Sequence, residues 1–238
     1  MAVTHVYETP DELAGAVARA LIDLIAAAQA DGTAPAICLT GGTVADRVHR
    51  EVARLGTDSS VDWTSVEFWW GDERYVEASS PDRNALQAHA AFLDALGVPE
   101  RNVHPMASTG SACSVEEGAR AYAAEFGRLD RPFLVTMLGM GPDGHVASLF
   151  PGTEGLEVPD VTAVAVPDSP KPPPQRISLT LPALNRAAYV WLLVTGADKA
   201  PAVASAVTGT DLPAGRVHGM DETVWFLDRA AAGALRAD

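Results

Sequence analysis

Apolar positions along the chain switch repeatedly between a helical and a strand-like period. Thr9-Pro10-Asp11-Glu12 predicts a helix start, with Thr9 as cap, Pro10 at the first helical position and Glu12 completing a capping box. Leu13, Val17, Leu21, Leu24 and Ile25 then fall on one face, and Gly32 closes the run. AICLT (36–40) reads as a buried strand. The turn Gly41-Gly42 follows, then a helix with Val44, Val48, Val52 and Leu55 on one face.

The alternation continues to the end. VEFWWG (66–71) predicts a strand, 82–96 an amphipathic helix closed by Gly97, and NVHPM (102–106) a short strand. Ser114-Val115-Glu116-Glu117 caps a helix running to Leu129, and FLVTMLG (133–139) is a fully apolar strand. VTAVAV (161–166), RISLTL (176–181), AYVWLLVT (188–195) and TVWFL (223–227) predict four more strands. A helix is expected at 197–207 and a short one at the C-terminus. Strands that alternate with helices and lack polar alternation imply an α/β fold: a largely parallel, Rossmann-like sheet with helices on both faces. No repeat and no compositional break divides the 238 residues, so 1–238 is expected to be one domain.

Charge narrows the partners. With 17 Lys and Arg against 31 Asp and Glu the chain carries −14, which argues against nucleic acid and anionic membrane as partners. Cys38 and Cys113 are too few for a disulfide framework, so a reducing cytoplasmic setting is expected. The N-terminal segment shows no secretory pattern, and no window approaches 18 uninterrupted apolar residues. The six histidines show no metal-binding spacing, so neither a metal nor a cofactor is expected.

In open α/β sheets ligands bind beyond the carboxyl ends of the strands, which directs attention to three loops. LTGGT (39–43) lies between a strand and a helix, where glycine backbone and a helix N-terminus suit an anion; an ordinary tight turn is the alternative. WGDERYV (70–76) places Asp72, Glu73 and Arg74 straight after a strand, either solvated or facing a ligand cleft. LGMGPDGHVASLFPG (138–152) satisfies G-x-G-x-x-G literally through Gly139, Gly141 and Gly144. Pro142 removes an N–H and Asp143 would oppose a phosphate, so the loop is better read as presenting Asp143 and His145. Histidine titrates near neutrality, at about 6.5, and a carboxylate two residues away can orient it. Four of the 17 prolines crowd into 170–174; a stiff surface connection is expected there, with a rigid loop beside a site as the alternative.

Together LTGGT, WWGDERYV, LGMGPDGHVASLFPG, SPKPPPQRISLTLPALNRA and TGADKAPAV resemble the 6-phosphogluconolactonases, lactonases of the pentose phosphate pathway. These segments run in order from about residue 35 to 205. The resemblance extends more weakly to the glucosamine-6-phosphate deaminases, which share the fold and a D-G-H loop. In that deaminase pattern a glutamate stands where this chain has Phe150. A third reading, a sugar-phosphate-sensing domain of a regulator, would need a DNA-binding segment for which the chain has no evident room.

The resemblance implies a deaminase-like α/β fold and metal-free hydrolysis of 6-phospho-D-glucono-1,5-lactone to 6-phospho-D-gluconate. Gly41, Gly42 and Thr43 would line the sugar-phosphate site, with Arg176 and Lys199 as cationic contacts to the phosphate. Arg74 would sit beside the reacting carbonyl, and His145 would be the catalytic base with Asp143 near it. Asp72 lies in a matched motif and is placed in the binding set without a defined role. The expected partner is a small sugar phosphate, and a monomer is expected, with a weak dimer as the alternative.

Overall fold

Six strands, all parallel, form the central sheet of the computed structural model, which describes residues 2–153, 158 and 161–235. The chain begins β1 (Ala2–Tyr7), α1 (Pro10–Ala30), β2 (Ala36–Leu39), α2 (Thr43–Gly56), β3 (Glu67–Trp70), β4 (Asp72–Arg74) and α3 (Asn84–Ala88). It continues α4 (Val115–Phe126), β5 (Phe133–Gly139), β6 (Ala163–Val166), β7 (Arg176–Leu179) and α5 (Leu181–Leu184). β8 (Ala187–Val194), α6 (Ala200–Val207), α7 (Pro213–Arg216) and β9 (Glu222–Asp228) complete it. The large sheet has the order β1-β9-β8-β5-β2-β3, and β4-β7-β6 form a separate antiparallel sheet.

The unbroken apolar runs are explained by burial on two sides. Along β2 and β3, Cys38 and Trp69 enter one core while Ile37, Leu39, Phe68 and Trp70 enter the other. Alternate side chains of a strand point to opposite faces, so a sheet covered twice needs apolar residues at every position. The parallel α/β sheet read from the sequence is therefore present, with the small antiparallel sheet as an addition.

Both expected helix caps form, each with a glutamate that reaches back to the N–H of the residue before the cap. Thr9 Oγ1 accepts the Glu12 N–H at 3.2 Å, and the Glu12 carboxylate accepts from Glu8 N–H at 3.0 Å. Ser114 and Glu117 repeat the arrangement, with Glu117 accepting from Cys113 N–H. The 21-residue α1 is long and apolar enough to cross a membrane, yet Leu13, Val17, Leu21 and Ile25 are buried in the protein core.

Several expected elements differ. The helix at 82–96 is only α3 followed by a widened turn at His89–Leu93, where Asp94 N–H reaches back to the His89 carbonyl. NVHPM contributes a single bridge, Val103 to Phe68, rather than a strand. RISLTL stops pairing at Leu179, because Pro182 has no N–H for a ladder and suits the first turn of α5. The helix at 197–207 opens with one tight 3-10 turn, Ala197–Lys199, before α6. In place of the C-terminal helix, residues 229–235 make turns, drawn in where Asp228 accepts the Ala231 N–H at 2.7 Å; 236–238 lie outside the described residues. β1 and β4 have no counterpart in the sequence reading; β1 is an edge strand with mostly exposed positions, so it carries no apolar run.

Candidate functional site

A cavity of about 430 Å3 opens where the carboxyl ends of β2, β5 and β8 meet the small sheet. β2 delivers Thr40, Gly41, Gly42 and Thr43; the end of β5 and its loop deliver Gly139, Met140, Gly141, Pro142 and His145; the segment after β8 delivers Thr195, Asp198 and Lys199. From the small sheet come Asp72, Arg74 and Arg176. Ligand placement outside the strand ends is what this sheet topology favours.

The first wall is the start of α2. Gly42 takes φ +94 and no side chain caps the helix, so its first N–H groups are left for something in the cavity. Gly41 has a different reason to be glycine: a Cβ there would lie 1.8 Å from Asn84 Oδ1. Asn84 is buried, accepts from Arg74 Nη1 and donates to the Asp72 carbonyl at 2.9 Å. It thereby joins Arg74 to the Asp72 backbone and packs against the glycine turn, a role that nothing in the sequence pattern signals.

Arg74 is held from several sides. Its Nη1 also donates to the Asp82 carbonyl at 3.0 Å, while its buried Nε has no hydrogen-bond partner among the described residues. Behind it, Glu73 is 1% exposed and accepts N–H groups of Arg74, Asn84 and Ala85 at 2.8–2.9 Å. Burial pushes the Glu73 pKa up, against the opposing pull of Arg83, whose Nε stands 3.5 Å away. Arg83 also donates to the carbonyls of Ala107 and Met106. Of the three charges in the WGDERYV loop, Asp72 and Arg74 face the cavity and Glu73 is structural.

Asp143 and His145 meet directly: Nδ1 of the imidazole lies 2.5 Å from Asp143 Oδ1. Asp143 stays outside the cavity wall while His145 is part of it. Gly141 makes the pair possible, because a Cβ there would fall 2.0 Å from His145 Cε1 and 2.6 Å from Asp143 Oδ1. Phe150 packs its ring 4.5 Å from the imidazole, centroid to centroid. Burial lowers the His145 pKa, more than the Asp143 hydrogen bond and charge raise it. Near neutral pH the ring is therefore uncharged, with Nδ1–H donated to Asp143 and Nε2 carrying a lone pair.

Arg176 is buried and largely occupied. Its Nε donates to the Pro173 carbonyl and its Nη2 to those of Lys171 and Pro172, all at 3.2 Å. Nη1 faces Ser148 Oγ at 3.5 Å and Asp72 Oδ2 at 3.9 Å, and Ser148 donates to that same carboxylate oxygen at 2.6 Å. The fork expected for a phosphate is taken up by the chain's own carbonyls. Those carbonyls belong to the proline-rich loop, and its Lys171 lines the cavity. The loop is thus beside the site and not a mere connection.

Lys199, just before α6, is also part of the cavity wall. Burial lowers its pKa, Asp198 acts in the other direction, and the charge of Lys171 lowers it further. The cavity wall then holds Arg74, Lys171, Arg176 and Lys199 against Asp72 and Asp198, a positive balance in a chain of −14. Among the described residues no three His, Cys, Asp or Glu side chains come together as metal ligands. Eight of the nine residues singled out from sequence line this one cavity, and the ninth, Asp143, supports it from behind. Asn84, Gly141 and Lys171 also line it, and Ser148 is buried against Asp72; Gly141 stands in the glycine pattern and Lys171 is the one charge inside the proline run, whereas Asn84 and Ser148 carried no signal.

The family pattern of glucosamine-6-phosphate isomerases/6-phosphogluconolactonases matches residues 8–225. The 6-phosphogluconolactonase of Streptomyces coelicolor is 41% identical over 243 aligned residues, covering 97% of this chain and 93% of that one. That of Mycobacterium tuberculosis is 40% identical over 242, covering 97% of each. Among solved structures, a 6-phosphogluconolactonase from Thermotoga maritima matches with TM-score 0.86 at 27% identity, covering 96% of this chain and all of that one. A monomeric glucosamine-6-phosphate deaminase matches with TM-score 0.80 at 20% identity over 98% of this chain and 99% of that one, a likeness of fold. By the extent of these matches, the chain belongs to the glucosamine-6-phosphate isomerase/6-phosphogluconolactonase family.

Proposed function

We propose that this protein is a 6-phosphogluconolactonase, hydrolysing 6-phospho-D-glucono-1,5-lactone to 6-phospho-D-gluconate. The observation that carries the reading is a neutral, carboxylate-held His145 in the wall of a cation-rich cavity at the strand ends. A sugar-phosphate lactone needs both features: positive charge for its phosphate and a base for the attacking water. The relatives of similar length that carry the name 6-phosphogluconolactonase support the same conclusion.

In this mechanism His145 Nε2 takes a proton from water as that water attacks the lactone carbonyl. Asp143 keeps Nδ1 protonated and stabilises the imidazolium that forms. The imidazolium then returns its proton to the departing ring oxygen. Arg74, which lines the cavity together with His145, is the cation assigned to the developing oxyanion; such a donor contributes about 2.7–4 kcal/mol. The α2 N-terminus, Thr43 and Lys199 hold the phosphate, and Asp72 keeps Ser148 and Arg176 in place. No metal or cofactor is needed, because a lactone is an activated ester and general-base help of about 10²–10⁴-fold adds to positioning.

A deaminase of the same fold would need an acid/base partner where Phe150 stands, and Phe150 is an apolar ring packed on the base. The free cysteines, Cys38 and Cys113, suit a reducing cytoplasm. The test is acid release from enzymatically generated lactone above spontaneous hydrolysis, with ammonia release from glucosamine 6-phosphate measured in parallel. No increase over background refutes the reading, and ammonia release would assign the chain to the deaminases.

A further inference from the structure

We propose that Lys171 is a direct ligand of the substrate's phosphate, and that Arg176 is a positioning residue that latches the Lys171 loop against the cavity. The inference rests on the lactonase reading above and assigns the proline-rich loop its purpose.

Three observations carry it. Lys171 is a half-buried cation in the wall of the same cavity as Lys199 and His145. Among the described residues its ammonium makes no hydrogen bond or ion pair, so its charge is available to a ligand. The backbone that carries it is fixed by a buried side chain: Arg176 donates to the carbonyls of Lys171, Pro172 and Pro173. A second fixed point lies at the loop's start, where Ser169 N–H bonds the Pro174 carbonyl and Ser169 Oγ accepts the Lys171 N–H.

Arg176, by contrast, has little left to give. Its Nε and Nη2 are spent on the loop, and Nη1 faces Ser148 and Asp72, a carboxylate that already offsets its charge. A phosphate would have to displace internal carbonyls to gain a two-pronged contact with it. Binding Lys171 displaces nothing. The prolines contribute by limiting the freedom of the loop before a ligand arrives, which reduces the ordering cost of binding. The electrostatics agree: the charge of Lys171 is felt at both His145 and Lys199, as expected for an ammonium turned toward the cavity.

The experiment measures kcat and KM on the phosphorylated lactone, together with calorimetric binding of 6-phosphogluconate, for wild type, Lys171→Met, Arg176→Met and the double variant. Lys171→Met keeps the length and apolar stem on a partly exposed loop, so it is expected to fold. Loss of one charged phosphate contact should raise KM and the product Kd together by about 10–100-fold, with kcat within about twofold. If Arg176 acts through Lys171, the double variant binds no worse than the weaker single variant.

KM and Kd within about twofold of wild type for Lys171→Met would overturn the ligand role. Penalties that multiply in the double variant would make Arg176 a phosphate ligand in its own right and overturn the positioning role. Should Arg176→Met fail to fold, Arg176→Lys replaces it in the same cycle. It retains the charge but not the three-carbonyl grip, so unchanged product Kd would refute the latch. Wild type without activity above background would refute the lactonase reading itself, and this inference with it.

Discussion

The rings of His145 and Phe150 lie 4.5 Å apart with their planes tilted by 40°, and Phe150 is 2% exposed. An apolar ring against the imidazole removes water that would otherwise stabilise the charged form, which is why burial is the largest influence on His145. Phe150 is thus the group whose packing favours the neutral form of His145.

The pH profile of kcat/KM follows from that contact. A base with a pKa below the usual histidine value of about 6.5 is already neutral at pH 7, so activity is flat there and falls only on acidification. Phe150→Ala readmits water, raises the His145 pKa and moves the acid limb to higher pH. The same variant costs about 3–5 kcal/mol of stability from the lost ring. An acid limb that stays in place while stability falls would separate Phe150 from the base.

Asp143→Asn shifts the limb in the other direction. The carboxylate raises the His145 pKa through its hydrogen bond and charge, so removing the charge lowers it. The imidazolium intermediate also loses its partner, and kcat falls, though by less than the about 10²–10⁴-fold expected for His145→Ala. Steady-state rates across pH for both variants check the order.

Gly141→Ala tests geometry rather than charge. The new Cβ would overlap the His145 ring, 2.0 Å from Cε1, so the imidazole must move. Misplacement on the scale of 1 Å costs about 10²-fold in rate. The expected outcome is a large fall in kcat with a small change in product affinity, since the cations are untouched. An equal loss of affinity would show that the whole loop had shifted.

Glu73→Ala should act on stability before activity. It removes the acceptor of three buried N–H groups and leaves Arg83 without its carboxylate. Breaking such a buried pair costs about 3–5 kcal/mol, read as a lowered urea midpoint. A midpoint within experimental error of wild type would mean that the β4–α3 corner is held by other contacts.

Much of the fold was legible because it is written in local periodicity. The two-sided burial of β2, β5 and β8 shows as apolar runs, and the Thr9 and Ser114 caps show as three-residue spacings. Elements that depend on distant partners were not. β4 is three consecutive charged residues, Asp72-Glu73-Arg74, and only pairing with β7, about a hundred residues later, makes it a strand. The helix expected at 82–96 has the right apolar face, yet its turn widens around the His89–Asp94 pair.

The site divides the same way. Sequence alone determined that glycines and a D-G-H loop follow strands, and so fixed which residues could gather at one sheet end. The net −14 described the surface and not the cavity, whose cations come from three separate segments. Only tertiary structure decided that Glu73 turns inward while Asp72 and Arg74 face the cavity, since all three share one short loop. It also decided that Arg176 grips the proline loop and that, among the described residues, the Lys171 ammonium makes no hydrogen bond or ion pair. Hydrogen-bond capacity is finite, and which partners claim it depends on chain segments that meet only when the protein folds.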